Sequence, residues 1–230
     1  LVLTPATDGS SIVNDNLVQA VQTLYKAMFI EPECKYPTVP MVELCSKIGS
    51  GATPKGGKSA YCDEGISLIR STNVFDYNFA YTDLAHISDE QANALSNVVV
   101  EQKDVLFNIT GVSVARCCIV PDDVLPARVN QHVMILRPYK GKLMSYFIMA
   151  TLCYTENKAK LLGIGQSGST REAINKQEME SFQIIVPPDN MIEDFGTKAE
   201  QLYNMICSNI QEIKHLESMQ QLILMQLSSR

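Results

Sequence analysis

With 230 residues, 46% of them apolar and 19% charged, the chain is long enough to bury a real core in one or two domains. No run approaches the roughly 20 apolar residues that a membrane helix requires, and the amino-terminal stretch has neither a basic leader nor a small-residue cleavage site. The expectation is a cytoplasmic protein with no membrane partner. The formal net charge of −6 argues at first sight against nucleic acid, because affinity for DNA rests largely on Lys and Arg at phosphates.

The distribution of charge softens that objection. Residues 36–188 hold 14 basic and 15 acidic side chains, whereas 1–35 hold 2 against 4 and 189–230 hold 3 against 6. The middle is near neutral and the surplus acid lies at the two ends. The seven cysteines are odd in number, scattered and without a Cys-x-x-Cys pair, which suits reduced thiols used as small hydrophobes.

In chain order, residues 1–12 are polar and turn-rich and read as a flexible lead-in. Asn14 or Asp15 can cap a helix to about Phe29, with Leu17, Val21, Leu24 and Met28 in a 3-4 stripe, ended by the stretch from Pro32 to Pro40. Helix and linker make a unit at 13–35. From Met41 to about Ile185 short apolar strands alternate with Gly, Asn and Asp turns. Segments 66–69, 98–100, 104–107, 117–120, 133–136 and 183–186 read as strands, and 88–96, 144–154 and 171–180 as helices, the first capped by Ser88 with Gln91 at the capping-box position. This predicts an α+β domain over 36–188, mixed and mostly antiparallel, without the regular alternation of a parallel sheet.

The last segment, 189–230, predicts a long helix. Ala199, Leu202, Ile206, Asn209, Ile213, Leu216, Gln220, Ile223 and Leu227 recur at alternating spacings of three and four, the pattern of a coiled-coil seam. A helix from about Met191 to Leu227 spans roughly 55 Å. Asn209 and Gln220 in the seam would fix register and partner number at some cost in stability. The alternative is a long helix packed on its own domain.

Several constellations bear on chemistry. Gly163-Ile164-Gly165-Gln166-Ser167-Gly168 matches GxGxxG, but no clear strand feeds it, so a polar Gly-Ser-Thr loop touching a polyanion is the better reading. Asp122, Glu156 and Lys158 imitate the set that holds a catalytic Mg²⁺ in many nucleases, an enzymatic alternative resting on short matches at loose spacing. His86, His132 and His215 are isolated and suit surface or satisfied-core roles, with no metal-site spacing. Asn130-Gln131 is a pair of amides of the type that reads adenine, or that caps a strand end. Basic residues lie among small polar ones at inferred loops: Lys55, Lys58, Arg70 with Asn73, Arg116, Arg128, Lys158, Lys160, and Ser169-Thr170-Arg171. Phosphate positioning needs Lys, Arg, hydroxyls and free N–H groups, while base reading needs Arg, Asn and Gln on firm supports.

The order of short motifs is also informative. Ile48-Gly49-Ser50-Gly51-Ala52-Thr53-Pro54 precedes Tyr61, Gly65-Ile66, Leu68-Ile69-Arg70 and Asn73-Val74. Asp104-Val105-Leu106, Gly111, Asn130-Gln131, Leu136-Arg137-Pro138, Gly168-Ser169-Thr170 with Ile174, and Ile184 to Pro188 follow. Together with the terminal seam, this order resembles a target-recognition domain of the specificity (S) subunit of type I restriction-modification systems, followed by that family's spacer helix. The resemblance covers about Asn14 to Leu227. The family's usual Trp before the first strand is missing.

The resemblance implies a non-catalytic double-stranded DNA reader of one half of a bipartite site. A DNA adenine methyltransferase subunit docks on it, and a restriction subunit can join. S-adenosylmethionine, ATP and Mg²⁺ belong to those partners, and none is expected on this chain. It further implies phosphate contact by Lys55, Lys58, Lys158, Lys160 and Arg171, with base reading by Arg70, Asn73, Arg116, Arg128 and Gln131. With one recognition domain present, the seam would pair with a second copy or with the other half of a longer subunit. A coiled-coil scaffold without nucleic acid is the remaining alternative.

Overall fold

The structure is a computed structural model that describes residues 7–33, 35–166 and 173–228. Its first element, α1 (Thr7–Phe29), starts inside the stretch expected to be a flexible lead-in, upstream of the Asn14 or Asp15 cap. The fully buried positions on α1 are Val21, Tyr25 and Phe29, with Leu17, Leu24 and Met28 half-buried beside them. That four-residue spacing is the face of a helix laid on a globular core, so the 3-4 stripe is one edge of a wider apolar face.

The strands that follow are β1 (Thr38–Pro40), β2 (Cys45–Ser50), β3 (Tyr61–Cys62), β4 (Ile66–Ile69), β5 (Val74–Phe75), β6 (Asn78–Phe79) and β7 (Ala85–Ile87). After α2 (Asp89–Ala94) come β8 (Val99–Val100), β9 (Val105–Asn108), β10 (Cys117–Ile119), β11 (Ala127–Val129) and β12 (Val133–Pro138). The chain closes with α3 (Gly141–Cys153), α4 (Thr155–Gln166), α5 (Lys176–Ser181), β13 (Gln183–Ile185) and α6 (Asp189–Ser228). The main sheets have the orders β10-β9-β12-β2 and β3-β7-β4-β11-β8. Among the described residues β11 and β4 pair in parallel and the other strand pairs are antiparallel, a mixed and mostly antiparallel α+β architecture.

The four-stranded sheet lies between two cores. Val105, Phe107, Met134 and Leu136 join the core shared with the helices, while Leu106, Val133 and Ile135 join the core of the five-stranded sheet. Successive side chains of a strand point to opposite faces, so a strand covered on both sides reads as an unbroken apolar run. This is why segments 104–107 and 133–136 stand out in the sequence.

α3 is buried from Met144 to Cys153 and forms the centre of the helical layer. Phe147 meets Tyr25 and Phe29 of α1 and Phe195 of α6 at centroid distances of 5.3 to 6.3 Å. α6 crosses α3 at Gly196, where a Cβ would lie 2.8 Å from both the Cβ and the carbonyl oxygen of Leu143. α6 runs antiparallel to α1: Phe195 packs on Tyr25 and Phe29, and further along Asn209 reaches Asn14. Ile192, Phe195, Ala199, Tyr203 and Ile206 are buried, so this half of α6 is a core helix of its own domain. Leu216, Gln220, Ile223 and Leu227 of the same stripe are exposed. Among the described residues no helix is long and apolar enough to cross a membrane.

Candidate nucleic-acid interface

One end of the two sheets gathers most of the loops that the sequence marks as polar and basic. β2, β4, β9 and β11 end there, and β10 and β12 begin there. Three buried asparagines tie the loops together. Asn73 donates to the carbonyls of Ala80 (2.9 Å) and Thr82 (3.2 Å) and accepts from the Arg70 N–H (3.0 Å). Asn108 donates to the carbonyls of Ser71 (2.9 Å) and Val74 (3.2 Å), clamping the loop after β4 to the end of β9. Asn130 donates its backbone N–H to Ile69 (3.0 Å), accepts from the Gly51 N–H (3.2 Å), and accepts the His132 N–H on its side chain (3.0 Å). Gly51 passes so close to β11 that a Cβ there would sit 1.7 Å from the Val129 carbonyl oxygen. A polar group buried without a partner costs about 1–3 kcal/mol, so the bonded amide groups of Asn73, Asn108 and Asn130 hold the loop ends in place, the buried Asn108 Oδ1 being left without a partner.

Asn73 is therefore a loop organiser. It is fully buried with its amide engaged, so it does not reach a base, and Asn130 is nearly as enclosed. Sequence reasoning missed Asn108 altogether, since an Asn at a strand end looks like any turn residue.

The basic residues fall into two groups. Lys55, Lys58 and Lys160 are exposed, and the Lys55 carbonyl is held by the Gln91 side chain at 3.2 Å. Arg70 and Arg116 are half-buried and carried on aromatic faces, Arg70 with its guanidinium 5.6 Å from the Tyr61 ring centroid and Arg116 4.7 Å from that of Phe75. Arg70 also donates to the Asp83 carbonyl. Supported guanidinium planes of this kind suit base edges and phosphates.

Two expected contacts are spoken for within the chain. Arg128 donates from Nε to the Ala92 carbonyl at 3.0 Å and from Nη1 to the Ala127 carbonyl at 2.9 Å, and burial lowers its pKa from the ordinary arginine value. Lys158 forms an ion pair with Asp76, whose carboxylate also accepts the Cys117 N–H at 3.2 Å. Gln131 is exposed at the tip between β11 and β12. Ser169, Thr170 and Arg171 lie outside the described residues.

The Mg²⁺ alternative is not assembled. Lys158 faces Asp76, Glu156 is exposed in the first turn of α4, and Asp122 sits on the short 3-10 turn Asp122–Val124. Among the described residues no group of three His, Cys, Asp or Glu side chains could hold a metal ion. Gly163 and Gly165 of the GxGxxG match lie within α4, and a helix, not a strand, precedes that match. The Glu156-Asn157-Lys158 stretch is the start of that helix.

Residues 37–217 match the family described as the type I restriction modification DNA specificity domain. The chain belongs to that family. Its fold is that of solved S subunits: the S subunit of a type I restriction-modification system from M. genitalium (12% identity, TM-score 0.68) and the HsdS subunit from Thermoanaerobacter tengcongensis (18%, 0.57). A chain from a structure concerned with complex assembly and conformational transition of the type I R-M system is similar as well (20%, 0.60). In each case 94% of this chain is covered, against 52%, 51% and 55% of the assembly, T. tengcongensis and M. genitalium chains respectively. This specificity-domain chain thus spans about half the length of the solved subunits it matches.

Proposed function

We propose that this chain is the DNA-reading part of a type I restriction-modification system, taking one half of a bipartite site. The observation that carries the reading is the convergence of the Gly51, Arg70, Asn108 and Asn130 loops at one end of the sheets, where buried asparagines fix them and Arg70 and Arg116 rest on aromatic rings. Lys55, Lys58 and Lys160 supply phosphate contacts, and Arg70, Arg116 and Gln131 read bases. Specificity needs such firm supports, because misplaced donors do not discriminate.

In this reading residues 36–188 carry recognition, and 13–35 with 189–230 carry the spacer. The exposed stripe at Leu216, Ile223 and Leu227 pairs with a second copy or with another recognition half, and the helical layer docks the adenine methyltransferase. S-adenosylmethionine, ATP and Mg²⁺ chemistry resides on the partners. The near-neutral recognition segment predicts weak DNA binding by the isolated chain.

The test is co-purification with the methyltransferase subunit, followed by sequencing for methylated adenine in cells with and without this gene. A modified bipartite motif that depends on the gene supports the reading. Absence of any such motif, with the complex intact, refutes it.

A further inference from the structure

Between β11 and β12 the chain passes from one sheet to the other in three residues, Asn130-Gln131-His132. This tripeptide is clamped on every side. The His132 N–H is held by Asn130 Oδ1 at 3.0 Å, and the His132 carbonyl accepts from the Ile109 N–H at 3.0 Å. The imidazole bridges two side chains, with Nδ1 2.7 Å from Thr110 Oγ1 and Nε2 3.0 Å from Gln131 Nε2. Thr110 is in turn bridged to Ala173, which follows the Gly-Ser-Thr segment.

With Gln131 Nε2 turned towards the ring, the hydrogen-bond inventory orders the roles around it. An amide nitrogen only donates, so with this amide orientation His132 Nε2 accepts and Nδ1–H donates to Thr110 Oγ1. The imidazole is engaged at both nitrogens. One N–H of Gln131 is consumed, and its Oε1 and second N–H are left as an acceptor and a donor at an exposed position. Adenine offers the complement in the major groove: N6–H to the oxygen and N7 to the N–H.

We propose that His132, set by Thr110, is a positioning residue that presents the Gln131 amide to one adenine of the half-site. The inference rests on the DNA-reading function above and adds to it a residue pair, a base and a mechanism of presetting. A free glutamine loses side-chain rotamer freedom when it binds a base edge; here the ring has already restricted it. The specificity of the contact then depends on a residue that touches no DNA.

The experiment uses the chain in complex with its methyltransferase partner, expressed in cells, with modified adenines mapped across the genome. Gln131→Ala is expected to relax one position of the half-site roughly tenfold to a hundredfold while leaving the others unchanged. His132→Phe, which keeps a ring but removes both nitrogens, is expected to relax the same position, and the double variant to go no further than either alone. Gln131→Glu, at an exposed position that tolerates the change, should shift the preferred base there from adenine towards cytosine, because a carboxylate only accepts. If His132→Phe lowers methylation evenly at all sites with the motif intact, the ring is only a structural support and the proposal is overturned. It is equally overturned if Gln131→Ala relaxes a position that His132→Phe leaves strict. If the wild-type complex modifies no gene-dependent motif at all, the DNA reading itself fails, and the proposal with it.

Discussion

Asn209 donates its side-chain amide to Asn14 Oδ1 at 2.8 Å, joining α6 to the outer part of α1 where the aromatic packing of Tyr25, Phe29 and Phe195 gives out. An apolar pair at this level would allow the helices to slide, whereas a paired amide favours one register. Asn209→Ala is expected to cost about 1 kcal/mol, a lowering of Tm by roughly 2–4 °C in a chain of this size. Asn209→Leu should recover that stability but loosen the alignment. Thermal unfolding with hydrogen exchange along α1 checks both, and unchanged exchange in Asn209→Leu would show that register is set elsewhere.

Gly196 gives a second, sharper test of helix packing. Ala is a better helix former than Gly by about 1 kcal/mol, so Gly196→Ala on an open helix face would stabilise. Here the new Cβ would lie 2.8 Å from the Leu143 carbonyl oxygen, which is backbone and cannot swing aside. Overpacking of this kind costs about 1–3 kcal/mol, so the net effect is destabilising. Urea unfolding measures it. A stabilised variant would mean that α3 and α6 are free to separate.

Much of the fold was legible because its signals are local. Strands covered on both faces, such as β9 and β12, appear as apolar runs, and the Ser88 cap on the Gln91 N–H appears as predicted, at 3.4 Å. The Gln91 side chain departs from the capping box and donates to Lys55 instead, a contact 36 residues away that no local rule could supply. The long helix was legible, but its division was not: a 3-4 stripe looks the same whether the partner is another chain or α3. Tyr25 and Tyr203, two of the large side chains that decide the matter, lie off the stripes, while Phe195 continues the α6 stripe one step upstream of Ala199. α4 was hidden because a polar, glycine-containing helix with one buried edge at Leu161 and Gly165 lacks a clear apolar period. At the interface the basic residues were visible by type, while the engagement of Lys158 and Arg128 depends on distant partners and that of Asn73 on the folding of its own loop.

Burial orders the described cysteines by reactivity. Cys62 is exposed, whereas Cys45, Cys117, Cys118 and Cys153 are buried. Desolvation pushes the Cys45 thiol up to about 12, raises those of Cys117, Cys118 and Cys207, and adds to the thiol contact with Cys117 in raising that of Cys153. The thiolate is the nucleophile, so a raised pKa lowers reactivity at any pH below it. Among the described cysteines, alkylation at about pH 8 is expected at Cys62 first, at Cys207 slowly, and at the four buried thiols only with denaturant. Mass spectrometry of digests reads this directly, and native labelling of Cys117 or Cys153 would contradict the packing of α3 on β10.

Lys158 and Lys58 were equal candidates for phosphate contact by residue type, and the structure separates them. Lys58 is exposed on the short 3-10 turn Gly57–Ala60, while Lys158 is paired with a half-exposed Asp76 that also holds the Cys117 N–H. Lys58→Ala in the methyltransferase complex should weaken DNA binding across all sequences and reduce the slope of log K against log salt by about 0.9, one phosphate contact's worth, leaving Tm unchanged. Lys158→Met should do the reverse. It removes a partly screened ion pair worth about 1 kcal/mol or less and lowers Tm slightly, with the salt slope preserved. Titrations at several salt concentrations, beside thermal melts of both variants, distinguish the two. A reduced salt slope in Lys158→Met would show that DNA draws the lysine away from Asp76, and that the ion pair is a resting state of a phosphate contact.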